Sequence, residues 1–225
     1  MPKASEIAAL LDQPLVGPDI DVNGARSLDR AEQGAMVFLN RPQELALRRL
    51  NEIGNLLCIA APDVAPSLKC TVVAYPDPRL GFCLAMARFF APPQPQGISP
   101  HATVDPTAQI GSDVAIAAGA RIGANTVIGA GTVISENCVI QNGTRIGTGC
   151  RIKPNTTIGS RGFGFTRDEA GHPVDFPHIG SVTIGDRVEI GANCTVVRAA
   201  LDVTVVEDEV KTDDHVHIAH NVIVG

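Results

Sequence analysis

Residues 110–158 read IGSDVAIAAGARIGANTVIGAGTVISENCVIQNGTRIGTGCRIKPNTTI. An aliphatic side chain returns at every sixth position, and the same period runs without a slip from Ile98 to Ile158. Four residues after each comes a small or β-branched side chain, such as Ala120 or Thr132. A hexapeptide period is typical of a parallel β-helix, in which three hexads form one coil and inward side chains stack at about 4.8 Å. We therefore predict this architecture for more than half of the chain.

The hexapeptide period breaks twice after Ile158. It pauses over residues 159–183, which we predict to be an inserted external loop, and solenoid insertions often lie on the binding face. It resumes at Ile184 and slips by four residues before it continues at Val206. No capping segment is visible before Gly225, so we expect either a chain truncated from a longer parent or a last coil covered by another element.

The first 91 residues follow a different pattern. Apolar runs of strand length alternate with segments of helical apolar spacing, the first of which has Ser5 as a candidate cap. The predicted strands are 35–39, 56–60 and 70–75, and the predicted helices are 5–11, 42–53 and 79–90. We therefore predict an α/β domain over residues 1–91, a Pro-rich linker over 92–97 and the β-helix over 98–225.

Charge and composition exclude several classes of protein. The net charge of −6 argues against nucleic-acid binding, which favours a basic surface. No apolar run is long enough for stable membrane insertion, and the N-terminus lacks the pattern of a signal peptide. None of the six cysteines forms a CxxC pair, and three of them occupy small inward positions of their hexads, namely Cys138, Cys150 and Cys194. We expect buried thiols in a cytoplasmic protein.

Three of the six histidines crowd the end of the chain, at His215, His217 and His220. Three imidazoles can bind zinc, as in a hexapeptide-repeat metalloenzyme of the γ-type carbonic anhydrase class, but a corner of the coil separates His217 from His220. His215 and His217 are therefore expected to be surface residues. Because Ile218 points inward, His220 falls at an outward corner. It is either a solvated side chain or, in a threefold assembly, a general base in the cleft between copies.

Several segments resemble one enzyme family. They are Ile218-Ala219-His220-Asn221-Val222, Gly162-Phe163-Gly164-Phe165, Arg198-Ala199-Ala200-Leu201-Asp202 and the run from Ile184 to Ala192. Together they resemble the UDP-3-O-(3-hydroxyacyl)glucosamine N-acyltransferases of lipid A biosynthesis, which belong to the hexapeptide-repeat acyltransferases. The resemblance implies an N-terminal uridine-binding domain, a left-handed parallel β-helix and a homotrimer.

The resemblance also implies an activity and a set of site residues. The expected reaction moves a 3-hydroxyacyl chain from acyl carrier protein to the 2-amino group of a UDP-linked, O-acylated glucosamine. It needs no metal and no cofactor other than the thioester donor. His220 would be the general base. The implied substrate-binding residues are Phe38, Arg41, Gly162, Phe163, Gly164, Phe165, His178, Asp202 and Asn221.

Some positions depart from the family pattern. Phe38 matches the phenylalanine that stacks on uracil, but Arg41 replaces an asparagine and Glu44 replaces the tyrosine on the other side of the base. In the β-helix, Val197 and Val203 replace aspartates. These departures leave two alternatives open: another nucleotide-sugar acyltransferase that uses a coenzyme A thioester, or a non-catalytic paralogue that binds a sugar nucleotide or only trimerises.

Overall fold

The computed structural model describes all 225 residues and divides into two compact units, Met1–Pro93 and Gln94–Gly225. The division falls inside the Pro-rich segment 92–97. None of the three helices combines the length and the apolar character needed to cross a membrane. Each unit is described separately below.

Unit 1 is a three-layer α/β fold. Its helices are α1 (Ala4–Leu10), α2 (Glu44–Ile53) and α3 (Pro78–Phe89), and its strands are β1 (Leu15–Val16), β2 (Gly24–Ala25), β3 (Ala35–Leu39), β4 (Leu57–Ala60) and β5 (Thr71–Ala74). The sheet order is β1-β5-β4-β3-β2, with only β1 antiparallel to its neighbour. Leu57 and Ile59 pack on the face of α1 and α3, whereas Cys58 and Ala60 pack on the face of α2. The central strand is therefore apolar on both faces, as is usual for parallel sheets.

The helices of unit 1 begin one or two residues away from the predicted positions. The Asp77 carboxylate accepts the Leu80 N–H at 3.0 Å and Pro78 occupies the first turn, so α3 begins at Pro78. The prediction that Ser5 caps α1 is wrong. Lys3 precedes the helix, and Ser5 instead donates its N–H and its hydroxyl to Asp19, each at 2.9 Å. The side chain that the local sequence predicted to be a cap is therefore bonded to a carboxylate distant in sequence, that of Asp19.

Unit 2 is a triangular coil of short parallel strands. The strands are β6 (Thr103–Val104), β7 (Gln109–Ile110), β8 (Ala115–Ile116), β9 (Arg121–Ile122), β10 (Val127–Ile128), β11 (Val133–Ile134), β12 (Val139–Ile140), β13 (Arg145–Ile146), β14 (Arg151–Ile152), β15 (Thr157–Ser160), β16 (Phe165–Arg167), β17 (Pro173–Asp175), β18 (Ser181–Ile184), β19 (Glu189–Ile190), β20 (Thr195–Val197), β21 (Val203–Val206), β22 (His217–Ile218) and β23 (Ile223–Val224). All except β16 and β17 form three parallel sheets, ordered β23-β21-β18-β13-β10-β7, β19-β14-β11-β8 and β22-β20-β15-β12-β9-β6.

The register confirms the predicted stacking. Ile128 pairs with Ile110 on one side and with Ile146 on the other, each 18 positions away, so three hexads make one coil. The aliphatic residues form a single buried core together with the small residues four positions after them, including Cys138 and Cys150. These thiols lie inside as predicted, and burial raises the pKa of Cys138 to about 11.

The corners of the coil depend on left-handed backbone conformations. The third residue after each inward aliphatic residue has a positive φ in most hexads, for example 56° at Asn125 and 62° at Asn221. Asparagine and glycine tolerate this conformation best, because asparagine bonds locally and glycine has no Cβ. The tight turns of the repeat are therefore encoded by Asn and Gly at a fixed hexad position.

Both predicted breaks of the period appear in the register. Ile146 pairs with Ile184, 38 positions later, so the core stack continues across the insertion while the extra residues are extruded. Ile184 pairs with Val206 and Val196 with Ile218, each 22 positions later, which accounts for the slip of four residues. The insertion and the slip lie at the same corner of two successive coils, and neither interrupts the core.

Candidate active site

The inserted loop carries a small hairpin of its own. Strands β16 and β17 pair antiparallel within it. The Arg161 guanidinium lies 2.8 Å from the Asp175 carboxylate, and Arg198 donates to the carbonyl of Gly159 at 2.7 Å and to that of Asn142 at 3.1 Å. The ion pair thus braces the loop internally, and Arg198 ties the base of the loop to the body of the β-helix.

The Gly162-Phe163-Gly164-Phe165 segment alternates between close packing and exposure. A Cβ added to Gly162 would lie 2.5 Å from Nε2 of His178, and one added to Gly164 would lie 3.2 Å from Cε1 of the same ring. Phe163 and Phe165 point away and meet edge to face, with centroids 5.8 Å apart, and Phe163 is 85% exposed. The two glycines let the backbone pass over an imidazole, and the two phenylalanines present an apolar surface outside.

His178 is a buried polar side chain at the end of the inserted loop. Only 8% of its surface is exposed, and its Nδ1 lies 3.0 Å from the carbonyl oxygen of Phe176. A carbonyl can only accept, so Nδ1 carries the proton that it donates. Nε2 is buried without a hydrogen-bond partner. Buried polar atoms are rarely left unpaired, and such exceptions are often functional.

His220 lies in the predicted corner turn, half-buried, next to Asn221. Its Nδ1 is 3.0 Å from Oδ1 of Asn221, and the same oxygen accepts the Ala200 N–H at 3.0 Å. Because a backbone N–H identifies the Asn221 atom as the acceptor, His220 must donate from Nδ1. The neutral ring therefore presents an unprotonated Nε2, which is the form that a general base requires.

The two imidazoles are brought together. The ring centroids of His178 and His220 are 4.9 Å apart and their planes are inclined at 74°. Beside His178 is a cavity of about 330 Å³, whose lining also includes Gln141, Asn142, Gly159, Arg161 and Arg198. Sequence analysis placed both histidines in one list of candidates but did not foresee this contact. Nothing in the irregular loop sequence could have indicated it.

Asp202 lies in the slip between β20 and β21 with an exposed side chain. Its carbonyl accepts the Ser181 N–H at 3.0 Å. A Cβ on Gly180 would come within 2.5 Å of that carbonyl, so the slip packs against the start of β18 through backbone alone. The structure thus gives Asp202 a local backbone role, and its carboxylate has no protein partner.

The other predicted binding residues belong to unit 1. Phe38 is half-buried and lines a cavity of about 800 Å³. Its ring is tilted relative to that of Phe82, with the two ring centroids 5.0 Å apart. Arg41 is exposed at the end of β3 and does not line this cavity. Two other arginines do, Arg26 and Arg49, and sequence analysis did not select either of them. Of these, Arg26 is already paired with Glu32 at 2.8 Å.

The remaining terminal histidines do not join the His178–His220 pair. His217 projects from β22 and His215 occupies a corner with φ of 61°, and both are exposed. No group of three or more histidine, cysteine, aspartate or glutamate side chains is arranged to hold a metal ion.

Comparisons with known proteins agree with the repeat architecture. Residues 125–160 match the family model described as bacterial transferase hexapeptide (six repeats), and residues 181–211 match the hexapeptide repeat of succinyl-transferase. The UDP-3-O-acylglucosamine N-acyltransferase of Coxiella burnetii (strain Dugway 5J108-111) is 57% identical over 67 residues, which are 30% of this chain and 20% of that protein.

Solved structures give a similar result. A UDP-N-acetylglucosamine acyltransferase from Bacteroides fragilis 9343 superposes with a TM-score of 0.50 at 32% identity, over 56% of this chain and 48% of that one. The corresponding Francisella novicida enzyme has a TM-score of 0.48 at 27% identity, over 57% of this chain and 45% of its own. The matched regions therefore span a fifth of the curated relative and less than half of these structures.

The repeats, the coil and these matches define the class of protein. Residues 125–160 and 181–211 are hexapeptide repeats similar to those of acyltransferases, and the chain folds, as the sequence predicted, into a small N-terminal α/β unit followed by a left-handed parallel β-helix.

Proposed function

We propose that this protein is an N-acyltransferase that moves a 3-hydroxyacyl chain from acyl carrier protein to the 2-amino group of a UDP-linked, O-acylated glucosamine. The observation that carries the proposal is the orientation of His220, whose Nδ1 is committed to Asn221 while Nε2 is left as an acceptor. The name of the Coxiella burnetii relative supports the same acceptor and the same reaction.

The chemistry needs one base. Nε2 of His220 takes a proton from the neutral 2-amino group as its nitrogen attacks the thioester carbonyl. The new C–N bond forms, the C–S bond breaks, and the proton held by His220 passes to the departing thiolate, which leaves as a thiol. The products are an amide and the free thiol of the donor. No redox partner or metal ion enters the balance.

Each unit offers a surface that suits one part of the substrates. The exposed surface of Phe163 and Phe165, close to His178, suits the acyl chain of either substrate. In unit 1 the cavity beside Phe38 suits the uridine, since stacking of a base on one aromatic ring is worth about 1–3 kcal/mol. Arg49, which lines that cavity, is a better candidate for the diphosphate than Arg41, which does not line it.

We also propose a homotrimer. His220 sits at an outer corner of the coil and is only half-buried, so a neighbouring copy would close the open side of the site. Light scattering coupled to size-exclusion chromatography tests this proposal: a mass of about three chains supports it, and a monomer at catalytic concentration contradicts it.

A direct assay tests the activity. The purified protein is incubated with 3-hydroxyacyl-acyl carrier protein and the O-acylated UDP-glucosamine, and the amide product is followed by mass spectrometry. The His220→Ala variant should lose about 10²–10⁴-fold in kcat, the usual contribution of a general base. His217→Ala is the matched control, because His217 is exposed on the neighbouring strand, and it should keep full activity.

Two results would contradict the proposal. Transfer from acyl-coenzyme A in preference to acyl carrier protein would favour a different nucleotide-sugar acyltransferase, for which the Glu44 and Arg41 replacements already argue. Full activity of His220→Ala would remove the base from the mechanism.

A further inference from the structure

We propose that His178 is a positioning residue for His220: its buried ring sets the orientation of the His220 imidazole. This inference rests on the proposed role of His220 as the base. It adds a second histidine to the site, and that histidine works through ring contact rather than by touching a substrate.

The first argument is the packing. The centroid distance of 4.9 Å and the inclination of 74° describe an edge-to-face contact between the two rings. His178 is buried and makes a second edge-to-face contact with Phe176, at 6.1 Å. His220, by contrast, is half-exposed and is held within its own turn by a single hydrogen bond. The His178 ring is therefore the rigid partner, and the contact restricts rotation of the His220 ring about its Cβ–Cγ bond.

The second argument is the hydrogen bonding of His178. Its Nδ1 donates to Phe176, and its Nε2 has no acceptor or donor within reach. The Phe176 hydrogen bond therefore fixes the His178 ring within the loop. Because Nε2 has no partner, the two histidine rings contact each other without a hydrogen bond between them.

The third argument is the fit of the loop. Gly162 passes so close to the ring that a Cβ at this position would lie 2.5 Å from Nε2 of His178 and 3.0 Å from Cγ1 of Val197. The loop and the ring thus pack as one body, which the Arg161–Asp175 ion pair braces internally and the Arg198 hydrogen bonds hold to the coil. This packing gives His178 a fixed position from which it can orient another side chain.

Two substitutions test the inference. His178→Phe keeps an aromatic ring of similar shape, and His178→Ala removes it. For His178→Ala we expect a fall in kcat of about 10- to 100-fold, with the KM of both substrates within about twofold of wild type, because the base is misplaced rather than the substrates. His178→Phe should recover most of kcat. His172→Ala, an exposed histidine of the same loop, is the control and should leave both parameters unchanged.

A spectroscopic measurement keeps the inference separate from the proposed function. Long-range 1H–15N correlation spectra report which nitrogen of His220 carries the proton. In wild type and His178→Phe the proton should reside on Nδ1, and in His178→Ala the signals should shift toward a mixture of tautomers. If wild type shows no transferase activity but these shifts occur, the proposed function fails while the positioning role stands.

Three results would overturn the inference. They are unchanged His220 signals in a folded His178→Ala protein, unchanged kcat in that variant, and a His178→Phe variant as slow as His178→Ala. The last result would mean that a nitrogen of His178 contacts the substrate directly. Thermal melting of each variant establishes that it is folded before it is compared.

Discussion

Nδ1 of His220 and the backbone N–H of Ala200 both bond to the same atom, Oδ1 of Asn221, each at 3.0 Å. Asn221 also donates its own N–H to the Thr204 hydroxyl at 3.0 Å. One asparagine therefore joins the slip, the last described coil and the proposed base. Its left-handed φ of 62° is the same corner conformation that recurs throughout the repeats. Asn221 thus has a structural role at the corner of the coil, and its hydrogen bond to His220 also determines which nitrogen of that ring is free.

Replacing Asn221 by glycine separates these two roles. Glycine keeps the left-handed turn, but it removes the acceptor for His220, so the ring is free to rotate and to change tautomer. We expect kcat to fall by about 10- to 100-fold, the size of effect that loss of an orienting partner has at other sites, with little change in KM. Steady-state kinetics with both substrates measures it.

Asn193→Gly is the matched control for that experiment. Asn193 occupies an equivalent corner with φ of 53°, and its exposed side chain does not contact either histidine. Its replacement should leave kcat unchanged. Equal losses in the two variants would show that the corner conformation, rather than the hydrogen bond to His220, matters for activity.

The sequence predicts the coil better than the site for a physical reason. Stacking between coils determines which residue type each hexad position takes, so Ile128 predicts the position of its partner Ile146. The pause before Ile184 and the slip before Val206 are visible in the sequence as interruptions of the six-residue period. The helices of unit 1 lack such a repeat, and their boundaries differ from prediction by a residue or two. The Ser5 cap failed because Asp19 supplied a partner that no local pattern describes.

The site depends on contacts between breaks in the period. About two coils of sequence separate His178 from His220. Their rings meet because the end of the inserted loop packs against the corner that carries His220. In the same way, Arg49 of α2 lines the cavity beside Phe38, although the sequence of that helix indicates only amphipathic packing. Sequence motifs nominated the segments of the candidate site, but distances within irregular loops required the folded chain.

Buried threonines offer a stability test that does not depend on the proposed activity. The Thr156 hydroxyl donates to the Gly191 carbonyl at 2.7 Å and accepts the Cys194 N–H at 3.1 Å, whereas the Thr144 hydroxyl is buried without a partner. Valine in place of Thr156 leaves two buried backbone groups unpaired and should lower the free energy of unfolding by about 1–3 kcal/mol. Valine in place of Thr144 should be neutral or stabilising.

Urea unfolding followed by circular dichroism compares the two variants, since the chain has no tryptophan and its single tyrosine lies in unit 1. Hydrogen exchange at the Cys194 amide gives a local check, because that amide should exchange faster only in Thr156→Val. A Thr144→Val protein that is less stable than Thr156→Val would show that packing, rather than hydrogen bonding, decides the effect at this hexad position.

The acid side of the stability curve should depend on Asp186. Its carboxylate accepts the Thr148 N–H at 2.7 Å, and this backbone hydrogen bond holds the pKa of Asp186 below its ordinary value of 3.8. A carboxyl whose pKa is lowered in the folded state stabilises the fold above about pH 4 and loses that contribution as the pH falls through the folded value. Asp186→Asn keeps an acceptor that does not titrate.

Melting temperatures at pH 7 and pH 3 measure this contribution. The drop between the two values should be smaller in Asp186→Asn than in wild type. Asp105 and Asp19 also have lowered pKa values, through bonds to Thr107 and Ser5, so part of the drop should remain. An identical drop in both proteins would mean that the Thr148 hydrogen bond does not distinguish the charged carboxylate from the amide.

The six thiols should differ sharply in reactivity. Cys83 is exposed, whereas the other five are buried, and burial raises the pKa of Cys70 to about 11 and that of Cys58 still further. Because the thiolate is the reactive form, native protein at pH 8 should react with Ellman's reagent at one thiol per chain, and the denatured protein at six. Cys83→Ser should abolish the rapid reaction. Rapid labelling that persists in Cys83→Ser would reveal an opening of a buried core, either around Cys58 and Cys70 in unit 1 or between the coils that enclose Cys138, Cys150 and Cys194.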